Sequence, residues 1–225
     1  FLMISVYFPN IIDLFPELIS SLWETILMIT ISGFFSTLFG LPLGIIMLVT
    51  SKGHILENPK LYSVLSKIVN ALRSIPAIIL FTALTGITRF IMGTSIGLKG
   101  SLFPLTIACI PFLAKQIELA LYSIDLGVIE AYTSMGFSPF QIILKVILIE
   151  GLGGIINAIT VSLVSLLSFS AIAGSVGSGG LGYFAIRYGY QGFKQDAMIV
   201  TVIIILLIVY FIQAAGDFLA RKVTH

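Results

Sequence analysis

Residues 130–139 read Glu130-Ala131-Tyr132-Thr133-Ser134-Met135-Gly136-Phe137-Ser138-Pro139, and this polar stretch stands between two long apolar segments. Residues 130–135 are good helix formers, with an acid where the first turn would be, a position that the helix dipole favours. Gly136 suits the left-handed conformation that commonly ends a helix. Ser138, Pro139 and Gln141 have the spacing of a capping box that begins a new helix. The stretch is therefore predicted to be a rigid helix, turn and helix at a membrane surface.

The composition of the chain is that of an integral membrane protein. Of its 225 residues, 58% are hydrophobic and only 10% are charged, and the mean hydropathy is +1.12. A soluble domain of this size would expose far too much apolar surface. The net charge of +2 is small and no basic block is present, so no nucleic-acid partner is predicted. The single cysteine, Cys109, rules out an internal disulfide and is typical of a small buried hydrophobe.

Five apolar stretches are long enough to cross a bilayer, which takes roughly 20 residues of helix. They are residues 18–49, 64–87, 101–122, 143–173 and 196–219. With a cytoplasmic loop at 123–142, they predict one all-α transmembrane domain over residues 1–225. Because the number of spans is odd, the two termini are expected on opposite sides of the membrane.

The lysines and arginines predict which way the spans run. With the C-terminus inside, eight of them lie on the inner side and four on the outer side, the outer four being Arg89, Lys99, Arg187 and Lys194. This two-to-one bias predicts that the N-terminus is outside and the C-terminus inside. It also places residues 130–139 in the cytoplasm.

Few ionisable residues lie within the spans. Lys115 and Glu118 are three residues apart on one helix face, where they can form an ion pair. Arg73, near the inner end of the second span, either extends to the membrane surface or pairs with an acid such as Glu118 or Glu130. Such a small number of charges does not favour a proton relay.

The fourth span carries a series of serine and threonine hydroxyls, for which two interpretations stay open. In the first, they bond to neighbouring helices or to their own backbone. In the second, Ser165 belongs to a mildly polar wall of a permeation path, and Phe169 or Ile172 forms an apolar constriction near its outer end.

A glycine-rich run follows the fourth span. Gly177, Gly179 and Gly182 satisfy the pattern G-x-G-x-x-G, but they follow a membrane helix rather than a strand, so nucleotide binding is not predicted. Glycine's conformational freedom instead suits a tight turn by which the chain re-enters the membrane. The nearby tyrosines are typical of a membrane interface. Together they would form a rim suited to a partner protein.

The sequence lacks the phosphate-binding pattern G-x-x-x-x-G-K-[ST] and the metal-binding pattern H-E-x-x-H. The chain is therefore not predicted to be an enzyme, and an energy-coupled transporter built from it needs an ATPase from another polypeptide. An ATP-independent channel or ion-coupled secondary transporter is the alternative, which the scarcity of mid-span charges disfavours. A membrane-embedded enzyme would need a catalytic cluster of His, Asp or Glu that the sequence does not show.

The polar stretch resembles the "EAA" coupling loop of ABC-importer permeases. That pattern is Glu-Ala-Ala, three residues, Gly, nine residues and Ile-x-Leu-Pro. Glu130, Ala131, Gly136 and Leu148 match it, whereas Tyr132, Val146 and Ile149 stand where the pattern has Ala, Ile and Pro. We call residues 123–142 the coupling segment.

Further runs extend the resemblance over nearly the whole chain. They include Asn70-Ala71-Leu72-Arg73-Ser74-Ile75-Pro76, Gly93-Thr94-Ser95-Ile96-Gly97, Pro104-Leu105-Thr106, the run from Ala173 to Gly182, and Ala215-Gly216-Asp217. Together these runs look like the membrane permease subunit of bacterial D-/L-methionine ABC importers.

The resemblance implies a five-span type I importer permease in a bacterial inner membrane. It implies a homodimer, two cytoplasmic ATPase subunits that bind the ATP and Mg, and an extracytoplasmic methionine-binding lipoprotein. The residues implied to contact the ATPase are Glu130, Ala131, Tyr132, Thr133, Met135, Gly136, Phe137, Ser138 and Pro139. Closure of the ATPase dimer would then swing the spans between inward-open and outward-open states.

Overall fold

The computed structural model describes residues 9–223, and this part of the chain is helical without strands. The α-helices in chain order are α1 (Pro9–Asp13), α2 (Phe15–Thr50), α3 (Pro59–Ser74), α4 (Ala77–Met92), α5 (Gly97–Leu121), α6 (Leu126–Ser134), α7 (Pro139–Ile142), α8 (Leu148–Glu150), α9 (Leu152–Ser175), α10 (Gly180–Phe184) and α11 (Gln195–Val223). Two π-helical segments, Ile143–Ile147 and Ala185–Tyr190, follow α7 and α10. The predicted all-α fold class is confirmed, while residues 1–8 and 224–225 at the ends of the predicted domain lie outside the described part.

Within residues 9–223, four helices are long and apolar enough to cross a membrane by themselves, namely α2, α5, α9 and α11. A fifth crossing is possible if α3 and α4 count as one broken span. The five predicted spans are thus matched by four to five candidate spans, depending on how the bent pair is counted, and the sidedness of the termini stays a prediction.

The second predicted span, residues 64–87, is not one straight helix. It breaks between α3 and α4, and the chain bends by 103° from one helix to the next. Ile75 is extended, with ψ 125°, because a residue before proline is pushed out of the helical region, and Pro76 has no N–H to continue the ladder. Asn58 caps the start of α3 by accepting a hydrogen bond from the Leu61 N–H at 3.1 Å.

Small residues allow the helices to approach one another closely. A Cβ at Gly44 would lie 2.6 Å from the Ala114 carbonyl oxygen and 2.7 Å from the Ile117 Cβ. A Cβ at Gly216 would lie 2.1 Å from the Thr160 hydroxyl oxygen. Such close packing at small residues is typical of membrane helices, because it lets their backbones approach and so stabilises their association.

The contacts divide the chain into two compact units. The first unit contains residues up to 34 together with 76–108 and 163–212, and its apolar core includes Leu18, Leu181 and Phe184. Glu24 accepts a hydrogen bond from the Gly180 N–H at 2.7 Å, and the Thr25 hydroxyl accepts one from the Leu181 N–H at 2.8 Å. The glycine-rich run is thus a structured turn that α2 holds in place.

The second unit contains residues 35–75 and 109–162 together with 213 onwards. Its buried polar centre is Glu118, which is only 4% exposed. Lys115 donates to one carboxylate oxygen at 2.8 Å, as the sequence predicted, and the Tyr62 hydroxyl donates to the other at 2.8 Å. Among residues 9–223, Arg73 forms no ion pair with Glu118 or Glu130, and its guanidinium lies 5.7 Å from the centre of the Phe112 ring.

Candidate functional site

The first helix of the coupling segment begins earlier than the sequence predicted. The Asp125 side chain accepts a hydrogen bond from the Gly127 N–H at 2.8 Å and caps α6. Glu130 therefore lies in the middle of α6 rather than in its first turn, and that expectation was wrong. The aspartate performs the capping role common at helix N-termini.

The turn after α6 is a complete Schellman motif centred on Gly136. The Phe137 N–H donates to the Tyr132 carbonyl at 3.2 Å, and the Gly136 N–H donates to the Thr133 carbonyl at 3.0 Å. Gly136 has φ +83°, as its sequence position predicted. The rings of Tyr132 and Phe137 meet edge to face with centroids 5.2 Å apart, which supplies the apolar contact that usually accompanies this motif.

A capping box begins the second helix immediately after this turn. The Ser138 hydroxyl accepts from the Gln141 N–H at 3.4 Å, and the Gln141 side chain accepts from the Ser138 N–H at 2.9 Å. Pro139 occupies the start of α7, where its missing N–H costs nothing. The prediction of two helices around a defined turn is confirmed.

Helical hydrogen bonding continues from α7 to the long helix α9. The Gly151 N–H donates to the Ile147 carbonyl at 3.0 Å, and the Ile155 N–H donates to the Gly151 carbonyl at 2.8 Å. Two of the three residues that depart from the EAA pattern lie along this path, where Val146 is buried and Ile149 is 62% exposed. A proline at position 149 is therefore not needed to start a new helix.

The coupling segment has one face against the protein and one face exposed. Ile129 and Ile142 are buried in the core of the second unit, and Tyr132 and Phe137 pack partly against that core. The other seven predicted contact residues are exposed: Glu130, Ala131, Thr133, Met135, Gly136, Ser138 and Pro139. The segment thus presents an exposed surface of mixed polar and apolar residues whose shape is held by the apolar contacts beneath it.

A cavity of about 480 Å³ separates the coupling segment from the connection at residues 51–58. His54 lines it together with Glu130, Thr133 and Phe137. The His54 ring lies 5.9 Å from that of Tyr122, and burial lowers the pKa of His54 below its ordinary value of 6.5. Nothing in the local sequence pattern links residue 54 to residue 130, so this cavity could not be predicted from the sequence.

The three predicted pathway residues lie on α9 in the first unit. Ser165 and Phe169 are half-buried, and Ile172 is 38% exposed. Their spacing of four and three residues puts them on one face of the helix. None of them lines a cavity described for residues 9–223, so their role in a path stays a prediction.

With this geometry in view, comparison with known proteins identifies the family. Residues 40–225 match the model of the binding-protein-dependent transport system inner membrane component. The chain belongs to this family. As a binding-protein-dependent transport component, it is a protein of the inner membrane.

Two relatives of this inner membrane component are similar over more than nine tenths of their lengths. The probable D-methionine transport system permease protein MetI of Vibrio cholerae is 45% identical over 208 residues, which is 92% of each chain. The methionine import system permease protein MetP of Bacillus subtilis is 42% identical over 219 residues, covering 97% of this chain and 98% of the relative.

A solved structure of the MetNI methionine ABC transporter in an inward-facing conformation has the same fold. It superimposes with a TM-score of 0.93 at 45% identity, covering 95% of this chain and 99% of the other. The type I importer permease fold is thereby confirmed.

Proposed function

We propose that this chain is the permease subunit of an ATP-driven importer of methionine. The observation that carries the proposal is similarity along the entire chain to proteins named for methionine transport, at 45% identity over 92% of the chain in one case. The structural match to a methionine ABC transporter supports the same substrate. Two copies of the chain form the translocation path between them.

Energy enters through the coupling segment. Each of two cytoplasmic ATPase subunits binds ATP and Mg and receives the exposed face of one segment, with Glu130, Ala131, Thr133 and Met135 in its groove. The Schellman turn and the capping box support this role, because both satisfy the backbone locally and leave a rigid protrusion. A flexible loop would absorb motion that a rigid protrusion transmits.

Motion then passes into the membrane through continuous helix. The hydrogen-bonded path from Pro139 to α9 has no extended residue that could act as a joint. Closing of the ATPase dimer would move α6 and α7 with the adjoining end of α9. Alternation between inward-open and outward-open states follows from that movement.

Substrate is delivered from outside by a methionine-binding lipoprotein. The scarcity of charge in the spans supports low-affinity passage of a solute without net charge, and selectivity resides mainly in the binding protein. Ser165, Phe169 and Ile172 are proposed to line the passage on α9.

The test is uptake of radiolabelled methionine into vesicles that contain the chain with the ATPase and binding protein of its own system. We expect uptake that requires ATP and all three components. Uptake by the chain alone, without ATP, would instead indicate a channel or an ion-coupled carrier.

A further inference from the structure

The first unit contains a second cavity, which has a volume of about 310 Å³. Half of its ten lining residues carry hydroxyls: Thr82, Thr85, Thr88, Ser95 and Ser178. None of the ten is charged. The volume lies within the range of small-molecule sites and equals roughly ten liquid waters.

The three threonines lie on one face of α4 and differ in how their hydroxyls are used. Thr82 donates to the Ile78 carbonyl at 2.8 Å, and Thr85 donates to the Phe81 carbonyl at 3.3 Å. Because each of these hydroxyls already donates its proton to a backbone carbonyl, it can only accept further hydrogen bonds.

Thr88 is the exception. Its side chain is 1% exposed, and its hydroxyl has no hydrogen-bond partner among residues 9–223. Buried polar atoms are nearly always paired, so an unpaired one beside a cavity points to a ligand. Unlike its two neighbours on the helix, Thr88 lines the cavity with a hydroxyl whose proton no described residue accepts.

Apart from Ser95 and Ser178, the remaining side chains of the wall are apolar. Phe81, Ile96, Pro104 and Val176 supply apolar surface. The Gly97 N–H donates to the Gly177 carbonyl at 3.0 Å, which ties the turn after α4 to the glycine-rich run. The turn after α4 and the glycine-rich run, which both border the cavity, are therefore joined by a backbone hydrogen bond.

We infer that this cavity is a binding subsite for an α-amino acid with an uncharged side chain. The ammonium donates to the acceptor oxygens of Thr82 and Thr85, the carboxylate accepts from Thr88, and the side chain lies against Phe81 and Ile96. A solute with net charge would lose its hydration without finding a counter-charge. The inference rests on the proposed function, and the predicted topology makes this the outer, receiving end of the path.

The test uses a cysteine placed in the cavity. Cys109, the only cysteine, is replaced by alanine, and Ser95→Cys or, as a second reporter, Val176→Cys is introduced into the complete importer in vesicles. We expect L-methionine to slow modification of either cysteine by a small water-soluble thiol reagent, whereas L-lysine and L-glutamate leave the rate unchanged. Equal rates with and without methionine at both reporters, or equal protection by all three amino acids, would overturn the inference.

Thr88 is tested on the same background. Thr88→Val is expected to raise the half-protecting methionine concentration about ten- to hundredfold, the effect of losing one hydrogen bond to a charged carboxylate. Thr201→Val is the matched control, because Thr201 is 0% exposed but its hydroxyl donates to the Ala197 carbonyl at 2.7 Å. Similar shifts in the two variants would count against a ligand-binding role for Thr88.

These outcomes are separable from failure of the proposed function. An importer that accumulates methionine but shows no protection refutes only the subsite. Protection without accumulation would support the subsite and refute methionine import.

Discussion

Replacing Gly136 by valine is expected to uncouple ATP hydrolysis from transport. Gly136 holds the left-handed position of the Schellman turn with φ +83°. No heavy atom beyond the adjacent residues lies within 4 Å of the position that a Cβ would take there. The cost of a side chain is therefore conformational and not a clash with its surroundings.

The magnitude follows from the backbone alone. An L-residue in the left-handed region loses about 1–2 kcal/mol relative to the right-handed one, and a β-branched residue is among the least tolerant. One to two kcal/mol reduces the ratio of formed to unformed turn by a factor of roughly 5–30. Gly136→Asn should retain most function, since asparagine tolerates this conformation.

The assay measures methionine transported per ATP hydrolysed, and the amount of ATPase that co-purifies. Gly93→Val is the matched control, because Gly93 has φ +77° and equally open surroundings but lies outside the coupling segment, at the end of α4. We expect the ratio of transport to hydrolysis to fall only for Gly136→Val. Wild-type coupling in Gly136→Val, or equal losses in both variants, would refute the reasoning.

Three further predictions concern the second unit and α4, each measured by thermal unfolding of the purified protein. Tyr62→Phe should destabilise it by about 1–3 kcal/mol, because a buried oxygen of Glu118 loses its donor. Gly44→Ala should cost about 1–3 kcal/mol through overpacking against α5, whereas Gly86→Ala, with nothing within 4 Å, should be neutral or stabilising by about 0.5–1 kcal/mol. The pKa of His54 is lowered in the folded protein, so its contribution to stability should be present above pH 6.5 and lost as the pH falls toward the folded pKa; His54→Gln should flatten this dependence.

For each of these three stability predictions, one result would contradict the physical reason given. An unchanged midpoint for Tyr62→Phe would mean that the Glu118 cluster does not need its hydroxyl. Equal effects of alanine at positions 44 and 86 would contradict the close packing of α2 on α5. An identical pH profile with and without His54 would show that another group governs the acid response.

The features of the coupling segment that could be predicted from the sequence are those fixed by interactions between neighbouring residues. Gly136 and the Ser138–Gln141 box act through neighbouring backbone groups, so their conformations could be assigned from order and spacing alone. Asp125 is an equally local helix-capping signal, but it lies before the polar stretch, so the predicted start of α6 is too late in the sequence. The error at Glu130 was thus one of boundary and not of element type.

The remainder depends on contacts between residues distant in sequence. Glu24 and Gly180 are 156 positions apart, and no periodicity in either segment indicates that they meet. Pro76 predicts a bend, but its 103° depends on what α3 and α4 pack against. Similarly, the sequence leaves the hydroxyls of the fourth span open to two interpretations, bonding to helices or backbone and lining a path, while the cavity with an unpaired hydroxyl lies against α4.

The π-helical segment at Ile143–Ile147 has a consequence for how such chains vary in evolution. A π turn closes its hydrogen bonds one residue later than an α turn, so it accommodates one additional residue within otherwise regular helix. Deleting a single residue there would restore the α pattern and leave the flanking residues facing the same neighbours. Single-residue gaps between homologous genes should therefore accumulate at these five codons rather than in the stretches on either side.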